Sequence, residues 1–182
     1  GSQIQYGPYT TGGAINMVSN QIPSQFSGKV VASMGSFDTK NTYVNVGDNF
    51  NHFGYLVEYN NRNSDGFKTI DFSNKTTGYN GNDYVGKFRI NTGPEAKMFQ
   101  SLTLKAQLSN EYSDETYLGL TQTDFDNNPY RRYLSSEADK IDTKHDQLML
   151  THLFIPAMLK KGEGGIINVA STGALQPCPY VG

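Results

Sequence analysis

Apolar and polar positions alternate along most of this chain. In "QSLTLKAQLSN", Leu102, Leu104, Ala106 and Leu108 share one face of an extended segment. Ser101, Thr103, Lys105, Gln107 and Ser109 share the other. Upstream, "DYVGKFRINTG" sets Tyr84, Phe88 and Ile90 against Lys87, Arg89 and Asn91, and "TGPEAK" between the two reads as a tight turn. "FGYLVEYNN" sets Phe53, Tyr55, Val57 and Tyr59 against Gly54, Leu56, Glu58 and Asn60. "KVVASMGSF" and "NTYVNVGDNF" precede it, joined through Asp38-Thr39-Lys40, and "KHDQLMLTH" adds a weaker strand with Leu148 and Leu150 on one face.

The spacing between these segments narrows the architecture. Short turns (Asn49 to His52 and Gly93 to Lys97) alternate with two long polar connections, "NSDGFKTIDFSNKTTGYNGN" and "SDETYLGLTQTDFDNNPYRRYLSSEADKIDT". Strands of about ten residues, flanked by aromatics, with short turns at one end and long loops at the other, describe a transmembrane β-barrel. In lipid every backbone N–H and C=O needs a partner within the sheet, while one face meets lipid and the other a watery lumen. The pattern therefore predicts a mainly β chain carrying about six strands of a partial antiparallel barrel. A soluble β-sandwich or an extracellular solenoid shares the alternation and stays open on pattern alone.

Composition agrees with a sheet that lacks an ordinary core. Apolar residues make up 36% and charged residues 18%, with 12 Tyr and 10 Phe but no Trp: thin for a water-soluble core, too aromatic for a disordered chain. The formal charge of −2, with no basic face, points away from nucleic acid. One cysteine, Cys178, excludes an internal disulfide and a cysteine-based zinc cluster. No apolar run is long enough for a membrane helix. The chain opens without a start Met or signal peptide and reads as an internal fragment of something longer.

Two ends depart from the alternating middle. At the amino end, "YGPYTTGGAINMVSNQIP" reads as a loop with turns at Gly7-Pro8 and Gly12-Gly13, feeding a short buried strand over Ala14 to Val18 that stops before Pro23. From about Leu153 the pattern changes. "LFIPAMLKKGEGGIINVASTGALQPCPYVG" has an apolar stretch ending at Lys160-Lys161-Gly162, as a Gly-capped helix would, and then an apolar run from Ile166 to Ala170, as in a parallel strand buried on both faces.

The segment "YGPYTTGGAINMVSNQIP" resembles the end of the plug domain of TonB-dependent outer-membrane transporters, with its Tyr-Gly, Gly-Gly and Ile-Asn in that order. "NRNSDGF" resembles that family's Arg-x-Ser-Asp-Gly-Phe strand end, and "ETYLGLTQTDFDNNPYRRY" looks like a long external loop of its ferric-citrate (iron(III) dicitrate) branch. The resemblance covers about Gln3 to His152. It implies a receptor in a bacterial outer membrane that binds a ferric chelate, ferric citrate or a siderophore, at external loops and imports it with energy delivered by the TonB system. Residues 1–20 would then end the plug, 21–27 link plug to barrel, and 28–152 form part of the barrel. The TonB box, most of the plug and most of the barrel are missing from this sequence, so transport by this chain alone is not expected.

An anionic ferric citrate needs cations and hydrogen-bond donors. Arg131 and Arg132, beside Tyr130 and Tyr133 in "PYRRY", fit as ligand-binding residues because guanidinium forks grip carboxylates. The competing reading is a loop held by pairs of these arginines with Asp124 and Asp126. Lys87 and Arg89 face the expected lumen, where salt bridges to the plug suit them better than contact with the ligand. His52, His145 and His152 lack ligand spacing, so no protein-bound metal is expected and the iron would arrive already chelated. The sequon at Asn74 reads as chance, and Gly12-Gly13 lacks the pattern of a phosphate loop.

The tail, residues 153–182, resembles a short-chain dehydrogenase/reductase around "NVAS". The match implies Ser171 as that family's catalytic serine and Asn168 as its structural asparagine. The partner Tyr-x-x-x-Lys pair is absent, Tyr180 lies too close to serve, and no Gly-rich dinucleotide turn is present. The alternative function, an NAD(P)-dependent oxidoreductase fragment, is thus expected to be inactive, with Ser171 stranded and no cofactor bound. The chain reads as a chimera joined near Thr151 to Leu153, with no enzyme activity.

Overall fold

The computed structural model describes residues 18–93, 95–155 and 169–172. Six long strands follow one another: β1 (Ser27–Gly35), β2 (Thr39–Asn49), β3 (Phe53–Ser64), β5 (Tyr79–Asn91), β6 (Phe99–Asp114) and β8 (Lys140–Ile155). A short β9 (Val169–Thr172) completes a seven-stranded sheet of order β1-β2-β3-β5-β6-β8-β9, each strand antiparallel to the next. Within the long connections β4 (Thr69–Ile70) and β7 (Arg131–Arg132) form a separate parallel pair. The second connection also holds helix α1 (Gln122–Asn127) and a 3-10 turn (Leu134–Ala138). No helix among the described residues is long and apolar enough to cross a membrane.

The sheet follows from the period of two. The register pairs Val44 with Tyr59, Tyr59 with Tyr84 and Tyr84 with Leu108, and likewise Val57 with Gly86 and Phe88 with Leu104. One face therefore carries Val30, Met34, Val57, Tyr84, Phe88, Ile90, Leu104, Leu108, Leu148 and Leu150, all solvent-exposed. The other face carries Tyr43, Asn45, Glu58, Asn60, Asp83, Lys87, Arg89, Lys105 and Gln107. Leu56 (3% exposed) and Ile70 (5% exposed) are the buried apolar residues among those described. A single layer with its apolar side bare has no core of the kind that two packed layers make.

Loop lengths divide the ends of the sheet. Residues 50–52 and 92–98 close one end; 65–78 and 115–139 form the other, with the turn between β1 and β2. That turn lies at Ser36–Asp38, two residues before the expected Asp38-Thr39-Lys40, because Thr39 and Lys40 already pair with Gly35 and Met34. Phe37 (φ 59°) and Asp38 (φ 50°) are both left-handed, as a tight hairpin requires, and for Phe this is a strained conformation. Thr39 Oγ1 donates to the Ser36 carbonyl at 2.7 Å and Lys40 pairs with Asp38 at 2.8 Å, which holds the turn.

Residues 18–26 lie across the polar face. Asn20 Nδ2 donates to Glu58 Oε1 at 2.5 Å and to the Tyr43 hydroxyl at 2.9 Å, and Tyr43 itself donates to Glu58 at 2.5 Å. Lys87 donates to the carbonyls of Ser19 and Asn20. The segment passes so close to β2 that a Cβ on Gly47 would sit 2.7 Å from Pro23 Cδ and 2.7 Å from the Tyr55 carbonyl.

The described residues form an open sheet, with β1 at one edge and β9 at the other, and no closed barrel. The tail strand runs antiparallel on β8, with Ser171 opposite Leu150, rather than parallel as expected. The tail thus has a partner strand. β8 continues unbroken to Ile155, through the joint expected at Thr151 to Leu153, because Phe99, Gln100 and Ser101 of β6 extend the ladder beside it. The expected plug strand over Ala14 to Val18, the helix end at Lys160-Lys161-Gly162, and Asn168, Cys178 and Tyr180 lie outside the described residues or outside their regular structure.

Gly47→Val should push residues 18–26 off the sheet, at a cost of about 1–3 kcal/mol for the overpacking. Backbone amides of Asn20 and Gln21 should then exchange faster with deuterium, with exchange in β5 and β6 unchanged.

Candidate functional site

At the long-loop end the two connections are stitched together. Thr69 N–H donates to the Tyr130 carbonyl and Asp71 N–H to the Arg132 carbonyl, each at 2.9 Å, forming the β4–β7 pair. Side chains reinforce it. Lys68 Nζ reaches Thr116 at 2.8 Å, Ser73 Oγ donates to Glu137 at 2.7 Å, and Lys75 bridges the Glu137 carbonyl at 2.7 Å and Asp114 at 3.0 Å. Thr121 caps α1 by accepting from Asp124 N–H at 3.2 Å.

Arg131 sits at the centre. Its Nε donates to Asp71 at 2.8 Å, its Nη1 to Asp124 at 2.6 Å, and its guanidinium lies 5.6 Å from the centre of the Tyr133 ring. Tyr133 also donates to Asp124, at 2.5 Å. Hydrogen bonds from Tyr133 and Thr121, and then the charge of Arg131, hold the Asp124 carboxyl below the ordinary carboxylate range. The Asp71 carboxylate in turn raises the pKa of Arg131. Arg131 thus joins the loops through Asp71 and Asp124, whereas Asp126 accepts from Gln122 at 2.8 Å. Arg132 points elsewhere, donating to the carbonyls of Pro129 and Arg131, and lines a shallow pocket of about 390 Å³ with Leu118, Gln122 and Phe125.

Tyr130 joins an exposed aromatic row. Its ring meets Phe67 edge-on, with centres 6.0 Å apart, and Phe67 lies 6.1 Å from Phe37, so three separate loops contribute one ring each. Nearby Phe72 is left-handed (φ 59°) and 98% exposed.

Of the three expected binding residues, Arg131 and Arg132 form the short strand β7 and Tyr130 directly precedes it, but their side chains go to different partners. Asp71, some sixty residues from Arg131, had no local signal. Glu58 and Asn20 could have been found: the alternation places Glu58 on the polar face, and a carboxylate only 8% exposed there needs donors. Lys87 does face the amino-terminal segment as expected, through carbonyls and not through an ion pair. His52, His145 and His152 do not converge, and no group of three or more His, Cys, Asp or Glu among the described residues could hold a metal. Ser171 lies in β9, away from these loops.

Arg131→Gln should loosen residues 115–139 while leaving the β3–β5–β6 ladder intact, seen as faster amide exchange at Tyr130 to Tyr133 alone. The Asp124 carboxylate should protonate only below the ordinary carboxylate range. A group with a lowered folded pKa stabilises above its unfolded pKa and loses that contribution as pH falls through the folded one. The Arg131 Nη1–H resonance, whose acceptor is Asp124, should therefore stay fixed at neutral pH and move only on acidification below the ordinary carboxylate range. Compared with family models, curated proteins and solved structures, the chain matches none.

Proposed function

We propose that this chain is a segment of a TonB-dependent outer-membrane receptor that takes up a ferric chelate, ferric citrate or a siderophore. The observation that carries this reading is the one-layer sheet with an apolar, exposed face and a charged, hydrogen-bonded opposite face. A soluble protein of this size rarely leaves so wide an apolar face bare, whereas lipid would cover it. The six long strands have 9 to 16 residues, enough to cross a bilayer when tilted.

The division of loops supports the same reading. Long, cross-linked loops at one end suit the outer surface, and three-residue and seven-residue turns suit the periplasmic side. In this arrangement Tyr130, Arg131 and Arg132 stand at the outer mouth, where Arg132 and Tyr130 offer a donor and an aromatic face to a ligand. Arg131 holds the platform in shape. Residues 18–26, tied to Glu58 and Lys87 on the lumen face, are where a plug would enter the barrel. The sequence features that bear on import, the TonB system and the missing strands, belong to the full-length receptor. On this reading the chain has no enzyme activity of its own, and its home is the outer membrane.

Paired substitutions on β6 test the proposal. Leu104→Lys, on the apolar face, should weaken folding into phospholipid vesicles by about 2–4 kcal/mol, and neighbouring Thr103→Lys, on the polar face, by much less. Vesicle flotation and heat-dependent gel mobility read both. A monomer that melts cooperatively in detergent-free buffer and ignores vesicles would sink the membrane reading.

A further inference from the structure

On the apolar side of the sheet, the run of hydrophobic residues ends abruptly toward the long loops. Tyr59, Tyr84 and Leu108 share one ladder row across β3, β5 and β6, and Asp146 of β8 completes it. The next row toward the loops is Asn61, Asn82, Asn110 and Lys144, and the one after is Asn63, Asn80, Tyr112 and Asp142. Five asparagines thus stand together on one side of three neighbouring strands, where asparagine is ordinarily sparse. In the other direction Leu104, Leu148 and Leu150 continue the apolar side, all exposed.

Hydrogen bonds order this belt of amides. The Tyr59 hydroxyl and Asn61 Nδ2 both donate to Asn82 Oδ1 at 3.0 Å, and Asn82 Nδ2 donates to Asn80 Oδ1 at 2.9 Å. The Tyr59 and Tyr84 rings lie 4.9 Å apart, so Tyr84 is braced while 49% of it stays exposed. The Asn110 side chain, opposite Asn82, makes no hydrogen bond among the described residues. Here a pocket of about 200 Å³ opens, with Tyr84, Leu108, Asn110, Lys144 and Asp146 in its lining. Lys144 and Asp146 pair at 3.2 Å, and Lys140 and Asp142 share their side of β8, so the charges along this strand cancel.

We propose that Tyr84, Asn110 and Asp146 form a docking site for the neutral sugar headgroup of a membrane glycolipid. The half-exposed Tyr84 ring offers an aromatic plane to the C–H face of a pyranose. Asn110 brings a donor and an acceptor, and the Asp146 carboxylate accepts from two neighbouring hydroxyls. Balanced charge argues against a phosphate head, which a cluster of unpaired cations would suit better. Position favours a lipid over a free sugar. Leu108 lines the pocket and Leu148 and Leu150 lead away from it, a path for an acyl chain down the strands. The site rests on the membrane reading in one respect, that lipid covers the apolar side.

The test is native mass spectrometry of the full chain, folded in dodecylphosphocholine micelles. The micelles carry equal amounts of a glucosyl diacylglycerol and of phosphatidylglycerol with matched acyl chains. The glucosyl lipid should be retained in preference to the anionic one. Asn110→Ala/Asp146→Ala should lose roughly tenfold in retention, the scale of one or two lost hydrogen bonds, and Tyr84→Ala should lose a similar amount. Tyr84→Trp, which keeps an aromatic plane, should retain the lipid like the parent, as should the opposite-face control Thr103→Ser. Far-ultraviolet dichroism and heat-dependent gel mobility check folding; should the double variant unfold, Asn110→Ala alone is read in its place. Four results would each overturn the proposal: phosphatidylglycerol held as well as the glucosyl lipid, no glucosyl lipid held by the folded chain, retention unmoved by the variants, or displacement by methyl glucoside at the lipid's own concentration. Vesicle flotation is measured separately, so failure of the membrane reading shows there and failure of the site shows in the spectrometer.

Discussion

Everything in this structure depends on the backbone ladder satisfying itself within one layer. Strands β2, β3, β5 and β6 each have neighbours on both sides, and β8 gains a second one over Met149 to His152, so most N–H and C=O groups of the main sheet find partners without a second sheet. Side chains are then free to divide into two unlike populations. A slip of one residue of β5 against β3 would turn Lys87 and Arg89 onto the side of Val57 and Tyr59 and bring Tyr84, Phe88 and Ile90 beside Glu58. The register is therefore fixed by both faces at once. The contact of residues 18–26 with Glu58 and Lys87 exists only in that register.

Along the strand axis, charge is handled in two ways. At the long-loop end, cations and carboxylates meet in pairs or triads: Arg62 with Asp83 and Glu111, Lys75 with Asp114, Arg131 with Asp71 and Asp124. Exposed pairs of this sort stabilise little individually, yet they set geometry where backbone pairing is sparse. At the level of residues 18–26, a nearly buried Glu58 is surrounded by neutral donors, and the neighbouring cations by neutral acceptors. The first arrangement organises loops. The second leaves the sheet wall with unspent positive charge.

Much of the sheet was legible in the sequence because a strand with two different solvents must alternate. Phe53 to Tyr59 and Leu102 to Leu108 display both faces without ambiguity, and the structure assigns them so. The hairpin after β1 was placed two residues late, since Phe37 is a poor candidate for a left-handed turn and only strand pairing puts it there. Within "PYRRY" the arginines stood out, but their separate fates depended on Asp71, which no periodicity links to residue 131. The tail misled for a related reason. A short apolar run fits a strand in the middle of a parallel sheet and equally an edge strand paired antiparallel with Met149 to His152, and only the neighbour decides.

The β4–β7 pair has a consequence for how such loops diversify. Tyr130 and Arg132 accept backbone hydrogen bonds from Thr69 and Asp71, and Arg131 reaches across to the Asp71 side chain, so neither long connection holds its shape alone. Grafting residues 115–139 onto another sheet without 65–78 would carry the ring of Tyr130 but lose the strand and carboxylate that aim it. The two connections form one structural unit, despite the two long strands that separate them in the chain.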